Sequence, residues 1–304
     1  MPKVDIVVPT YNGARYIVPA LQSVLGQTFK DYELTVVDDR STDQTPQIVT
    51  SMRDSRVRLV INEQRQGLVR NWNRCIEQAQ ADYTCIFHQD DLLLSPGMER
   101  LVAALDDHPK VGFAFSNMTS IDEHGDVIGG HWSDCLPGED AIFSEQEFFH
   151  LLLSQGNLVP CSSVVVRSSC YQQLGVFDHR LKYTPDLEMW LRLSMHYDVA
   201  YIAEPLVSFR RHSGQESNHY MGKLEEIREV WRALRIIFTE QSQHIADPER
   251  AFALAMAHIE RWTAMFATNA AKRARFVEAA QFGQQFLIFR NAHRKGIGSL
   301  TPVC

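Results

Sequence analysis

The sequence predicts an α/β fold, a parallel sheet covered by helices on both faces, followed by a helical appendage. Three observations predict it. Over the first 120 residues short apolar runs of strand length alternate with segments of helical period, joined by short loops. The apolar runs end abruptly in polar residues. From Lys223 to Arg290 the strand signals stop, and Ala, Glu, Gln and Arg dominate with apolar residues at helical spacing.

Each element has its own signal. Val4–Val8 is a short apolar run closed by Pro9, as in a buried parallel strand. Tyr16–Val24 carries apolar residues at helical spacing, with Pro19 placed in the first turn, where a missing N–H costs little. Leu34–Val37 is a second strand, and Ser41-Thr42-Asp43 caps a helix running through Met52. Val57–Ile61, Tyr83–Phe87 and Val111–Phe115 read as strands, separated by helices over Leu68–Ala79 and Pro96–Leu105. Asp122–Asp126 is a hairpin turn. Ser162–Val166, Val199–Ile202 and Leu206–Arg210 read as further strands, and Asp186–His196 as a helix.

Composition narrows the function. The 304 residues carry 30 Lys plus Arg against 37 Asp plus Glu, a net charge of −7. Nucleic acid is therefore excluded as a partner, because phosphate affinity needs excess cations. No stretch reaches the roughly 18 apolar residues of a membrane span, and the N-terminus runs straight into a strand pattern. Six Cys without a CxxC pair and without zinc spacing fit a reduced, cytoplasmic protein. Charge is uneven. Residues 270–304 hold six Lys or Arg against the single acid Glu278, a local +5, which leaves −12 on the rest. This segment is read either as a solvated helix face or as a peripheral contact with anionic lipid or an acceptor phosphate.

In parallel sheets ligands bind beyond the carboxyl ends of the strands. There this sequence places Pro9-Thr10-Tyr11-Asn12, Asp38-Asp39 and His88-Gln89-Asp90-Asp91. Adjacent carboxylates repel unless a cation or hydrogen-bond donors offset them. A hard divalent ion shared with substrate phosphates is one solution.

The motifs VDIVVPTYN (Val4–Asn12), SVLGQT (Ser23–Thr28), VDDRSTD (Val37–Asp43), GLVRN (Gly67–Asn71) and FHQDDLLLSP (Phe87–Pro96) stand in an order and spacing that resembles family 2 glycosyltransferases. DLEMWLRL (Asp186–Leu193) and FRRHSGQES (Phe209–Ser217) continue the resemblance, which covers roughly residues 3–220. It implies the Rossmann-like GT-A fold with a mixed central sheet. Residues 1–117 would form the nucleotide-sugar half and 118–220 the acceptor half, with 221–304 a separate helical region.

The resemblance also implies a reaction: inverting transfer of a sugar from a nucleotide-diphosphate donor, with UDP the leading carrier. The acceptor is the hydroxyl of a glycan, lipid-linked glycan or glycoprotein, in cell-envelope polysaccharide assembly. Carried over by position, Pro9, Thr10 and Tyr11 line the base pocket and Asp39 accepts from the base. Arg70 lies near the nucleotide, Asp90 faces the ribose, and Asp91 holds Mn²⁺ or Mg²⁺. Asp186 is the general base, with Glu188 its rival. Arg210 and His212 belong to a loop closing on the diphosphate. Trp190 is either core or an acceptor wall, and His131-Trp132 either touches a sugar or has no role. Asp38 is read as a loop-bonding residue.

Three departures from the family pattern stand out. Arg40 occupies a Gly position, so a different turn is expected there. His88 replaces an acid, and Pro185 precedes the base. Two other functions compete with transfer: a sugar nucleotidyltransferase, and a non-catalytic nucleotide-sugar-binding subunit. The first usually needs a Gly- and Lys/Arg-rich loop after the first strand, where this chain offers only Arg15. The aromatic and Met stripe of the tail (Trp231 to Phe266) is read as core or as a seam between two copies.

Overall fold

The structure, a computed structural model, describes residues 1–130, 134–301 and 303. The expected His131-Trp132 contact and Cys304 lie outside the described residues. By contact density the chain forms two compact units, and each is built from separate stretches. One contains Met1–Ser144, Leu158–His179 and Tyr197–His212; the other contains Glu145–Asn157, Arg180–His196 and Ser213–Cys304.

The first unit holds one sheet. Its strands are β1 (Val4–Thr10), β2 (Tyr32–Asp38), β3 (Val57–Ile61), β4 (Tyr83–Ile86), β5 (Leu92–Leu93), β6 (Val111–Ile121), β7 (Val127–Gly129), β8 (Ala141–Phe143), β9 (Val164–Arg167) and β10 (Asp198–Arg210). The order across the sheet is β3-β2-β1-β4-β9-β6-β10-β5, with β7 added on β6 and β8 on β10. β1, β2, β3 and β4 are parallel, as the alternation predicted. β9 runs antiparallel to both β4 and β6, so the sheet is mixed and not wholly parallel.

β1 explains why the alternation is so readable. All seven of its residues are buried, and five of them are apolar, as in a strand covered on both faces. Val4, Ile6 and Val8 pack with Ile17, Leu21 and Val24 of α1 (Ile17–Leu25) and with Leu101 and Leu105 of α4 (Gly97–Asp107). β1 also meets α3 (Leu68–Gln78), whose buried face is Val69, Asn71, Trp72 and Cys75. Pro19 does fall in the first turn of α1. α2 (Thr45–Ser51) starts later than expected, and Asp43 accepts from the N–H and hydroxyl of Thr45 at its start. The two expected strands over 199–210 are one strand, β10, with register irregularities between Ile202 and Val207. α6 (Ser168–Leu174) completes this unit.

The turn after β2 departs from expectation. Arg40 itself adopts φ +62°, so the left-handed turn is kept without glycine. A side chain there costs about 1 kcal/mol relative to glycine. Arg40→Gly is therefore expected to raise stability by about 0.5–1 kcal/mol, read as a higher denaturant midpoint at unchanged slope.

The second unit is helical: α5 (Glu145–Gln155), α7 (Pro185–Ser194), α8 (Leu224–Glu240), α9 (Pro248–Lys272) and α10 (Phe276–Lys295). α5 packs on α7 and α9, α7 on α8, and α10 on α9. Phe238, Phe252 and Met256 of the aromatic and Met stripe are buried, whereas Met265 is exposed. No helix among the described residues is long and apolar enough to cross a membrane.

Candidate functional site

In the first unit, the carboxyl ends of β1, β2 and β4 are tied to one another by side chains. Pro9 and Thr10 end β1 and are buried. Gln89, after β4, reaches back to them. Its Oε1 accepts from the Thr10 hydroxyl and from the Tyr11 N–H at 3.1 Å, and its Nε2 donates to the Tyr11 carbonyl at 3.3 Å. This approach needs Gly13, where an added Cβ would collide with the Gln89 carboxamide. Asn12 accepts from the Thr42 N–H at 2.8 Å, and the Ser41 hydroxyl accepts from the Asn12 N–H at 2.9 Å. The two loops are thereby held in one arrangement.

Asp38 and Asp39 separate into two roles. Asp38, fully buried, accepts from the N–H and hydroxyl of Ser41, in line with a loop-bonding residue. Asp39, 2% exposed, accepts from Asn62 Nδ2 at 2.9 Å and from the N–H groups of Gln66 and Gly67 at 2.7 and 2.8 Å. Gly67 takes φ +84° to present that N–H. A carboxylate has about four acceptor positions, and these bonds take three of Asp39's. Asn62 also donates to Asn71, which in turn donates to the Val37 carbonyl. The ring of Tyr11 carries a cation: the guanidinium of Arg65 lies 3.9 Å from its centroid. Arg70 stands exposed on α3.

After β4, ligand atoms of His88, Asp90 and Asp91 all lie within 4.8 Å of one another. Asp91 is fully buried. One of its oxygens accepts from the Ser162 hydroxyl at 2.5 Å, and the other from the Arg210 N–H at 2.9 Å. Burial drives its carboxyl well above the ordinary range, the neighbouring Asp90 charge adds to this, and the Ser162 and Arg210 bonds oppose it. His88 stacks on Trp72 with centroids 5.3 Å apart, and its Nε2 is buried without a partner among the described residues. Burial holds its imidazole neutral at physiological pH, despite the Asp90 charge. A neutral imidazole whose Nδ1 lies 3.9 Å from Asp91 Oδ2, grouped with two carboxylates, fits a divalent cation, and better Mn²⁺ than the all-oxygen preference of Mg²⁺.

Arg210 and His212 surround that group. Arg210 is buried: its Nε donates to the Asp90 carbonyl at 2.9 Å, its Nη1 donates to the Asp122 carbonyl at 3.1 Å, and its guanidinium lies over Tyr16. It thus fixes the backbone of the acidic loop. His212 Nε2 is 2.9 Å from Asp90 Oδ2, and its ring packs on Tyr16.

In the second unit, Pro185 occupies the first turn of α7, and Asp186 comes directly after it. Asp186 is half-buried and accepts from Asn157 Nδ2 at 2.8 Å and the Leu187 N–H at 2.9 Å. Burial raises its carboxyl to about 6 against these bonds. Glu188, 2% exposed, is held by a bidentate pair with Arg192 at 2.8 and 2.9 Å. Trp190 is 1% exposed and part of the core. The approach to α7 is fixed from the tail: Glu229 of α8 accepts from the N–H groups of Lys182 and Tyr183, and its carbonyl accepts from the Thr184 hydroxyl.

Sequence reasoning misses Ser162, Arg65, Asn62 and Glu229, and puts Gln89 at the strand end without a role. Gln89 and Ser162 act on partners 71 to 79 positions away, which no local pattern encodes. His88 stands out in the sequence only as a replacement for an acid.

Known proteins share this architecture. The family model described as Glycosyl transferase family 2 matches residues 5–171. A Rickettsia prowazekii protein described as an uncharacterized glycosyltransferase is 28% identical over 232 residues, 76% of this chain and 70% of its own. An uncharacterized protein of Mycobacterium tuberculosis is 27% identical over 305 residues, 97% and 89% of the two chains. Among solved structures, S. aureus TarS 1–349 in complex with UDP-GlcNAc superposes with a TM-score of 0.69 at 19% identity, covering 92% of this chain and 80% of that one. That likeness establishes the expected GT-A fold. With over half of its residues inside the family's model, the chain belongs to glycosyl transferase family 2 and is a glycosyltransferase.

Proposed function

We propose that this enzyme transfers a sugar, with inversion, from a nucleotide-diphosphate donor to the hydroxyl of a glycan, lipid-linked glycan or glycoprotein. UDP is the proposed carrier. The observation that carries the reading is the His88, Asp90 and Asp91 group at the carboxyl end of β4, beside the interlocked loops after β1 and β2. UDP-GlcNAc in the S. aureus TarS complex supports the choice of carrier.

In this reading Pro9, Thr10 and Tyr11 hold the base, with Asp39 accepting from its imide N–H. Arg65 joins Arg70 as a cation beside the nucleotide, because it already lies on Tyr11. Asp90 receives the ribose, and His88, Asp90 and Asp91 hold Mn²⁺ or Mg²⁺. Such an ion, when bound, stabilises as a Lewis acid the negative charge that builds on the leaving diphosphate. Arg210 positions the acidic loop through its backbone bonds, and His212 adds a donor near the diphosphate. Asp186 takes the proton of the acceptor hydroxyl onto a carboxylate oxygen. A group near 6 is mostly ionised at neutral pH and still basic enough to act. A single in-line attack then inverts the anomeric centre.

The test is a thermal-shift panel of UDP, dTDP, GDP, ADP and CMP, each with and without Mn²⁺, on wild type and Asp91→Asn. A ligand that binds only the folded state raises its melting temperature by mass action. We expect a metal-dependent shift with UDP that Asp91→Asn loses. No shift with any nucleotide would overturn the donor-site reading.

A further inference from the structure

Among the described residues, one face of the α10 helix is exposed. Phe276, Val277, Leu287 and Ile288 are 56–75% exposed. At about 100° per residue, the 276–277 and 287–288 pairs fall on the same side of the helix. Eleven residues separate them, about 16 Å along the axis. The buried side of the same helix is Phe282, Gln285 and Phe289, so the exposed apolar pairs are not its packing surface. Cations bracket both pairs. Lys272, Arg273 and Arg275 precede the first pair, and Arg290, Arg294 and Lys295 come after the second, all exposed. The single acid among them, Glu278, is paired to Arg275.

A cavity of about 740 Å³ opens beside this face, its charged lining the four cations Lys223, Arg228, Arg273 and Arg275 against the two acids Glu225 and Glu278. Outside residues 270–304 the chain carries −12, so this is a positive island on an acidic protein.

Each candidate occupant makes a different demand. A second copy related by a twofold axis would set cations against cations, which costs affinity. Large apolar rungs flanked by Lys and Arg on a helix too polar to span match the interface of an anionic bilayer. There the apolar side chains enter the acyl boundary while the cations meet lipid phosphates. We infer that the outer face of α10, with the basic cavity beside it, is a docking surface for an anionic lipid membrane.

The inference does not depend on the donor site, and its test reads partition and not turnover. The full chain is sedimented with vesicles of equal phosphatidylglycerol and phosphatidylcholine, and with phosphatidylcholine alone. We expect binding to the anionic vesicles only, falling steeply as salt rises from about 0.1 to 0.5 M. Phe276→Ser/Val277→Ser/Leu287→Ser/Ile288→Ser should lower the partition at least about tenfold. Arg273→Ser/Arg275→Ser/Arg294→Ser/Lys295→Ser should do the same, about tenfold or more. Both sets change exposed side chains, so the unfolding midpoints should stay unchanged. Failure of the wild type to bind anionic vesicles, equal binding to neutral ones, or unchanged binding by the apolar variant would each overturn the inference. So would self-association, seen by light scattering, that the apolar variant abolishes while vesicles remain unbound; that result would assign the face to a second copy.

Discussion

Asp186→Asn is expected to lower turnover by about 10²–10⁴-fold, the usual contribution of a positioned general base, while nucleotide binding is kept. The pH profile carries the same assignment. In wild type kcat/KM should fall as pH drops through about 6, where Asp186 takes up its proton. In the variant that limb should vanish.

Stability gives an independent reading of the same group. Its folded value is raised above the ordinary 3.8, so between the two values the folded protein holds a proton that the unfolded chain has released. Wild-type stability must therefore fall as pH rises through that window. For a half-buried carboxyl the effect is about 1–3 kcal/mol. The carboxamide of the Asp186→Asn variant cannot ionise. The difference in unfolding free energy should thus move in the variant's favour by that amount between pH 4 and 7, measured by denaturant titration. A flat difference would remove the buried-acid assignment.

Glu188→Ala is expected to show the largest loss of stability, about 3–5 kcal/mol, because it strips the bidentate partner from buried Arg192. Glu188→Gln keeps a neutral acceptor for Arg192 and should be milder. Assayed below its melting temperature, Glu188→Gln should retain turnover and the limb near 6. Loss of that limb in Glu188→Gln, with normal folding, would transfer the role of base from Asp186 to Glu188. The contrast rests on geometry. Both of Glu188's oxygens are engaged by one cation in the core, whereas Asp186 is only half-buried and accepts from two neutral donors.

The parts of the molecule legible in the sequence are those whose physics is local. β1, β2 and β4 announce themselves because strands covered on both faces are mostly apolar, and β3, partly exposed at the sheet edge, is still a short run of Val, Leu and Ile broken only by Arg58. The acids at their ends stand out because they come directly after a strand's last apolar residues. Antiparallel β9 is legible as a strand but not in its direction, which is set by a partner far along the chain. β8 and α5 escape sequence reasoning altogether, three exposed or half-covered residues and a helix that come after a Gly- and Asp-rich stretch.

The boundary near residue 220 marks where strand signals end. Packing instead groups 145–157 and 180–196 with the tail. The reason is visible in Glu229, a tail residue whose carboxylate holds the backbone leading into the Asp186 helix. At Arg40 arginine itself takes a left-handed conformation that glycine adopts at less cost. The surrounding bonds of Asp38 and Asp39 impose the left-handed conformation on whatever residue stands there.

In the proposed reaction His88, Asp90 and Asp91 hold a divalent ion against a nucleoside diphosphate. Anomalous diffraction at the manganese edge, from crystals grown with UDP and Mn²⁺, tests it most directly. One strong peak is expected at bonding distance from this group, with UDP phosphate oxygens on its other side and the base beside Tyr11 and Asp39. A manganese peak elsewhere, or bound UDP with no peak at this group, would contradict it.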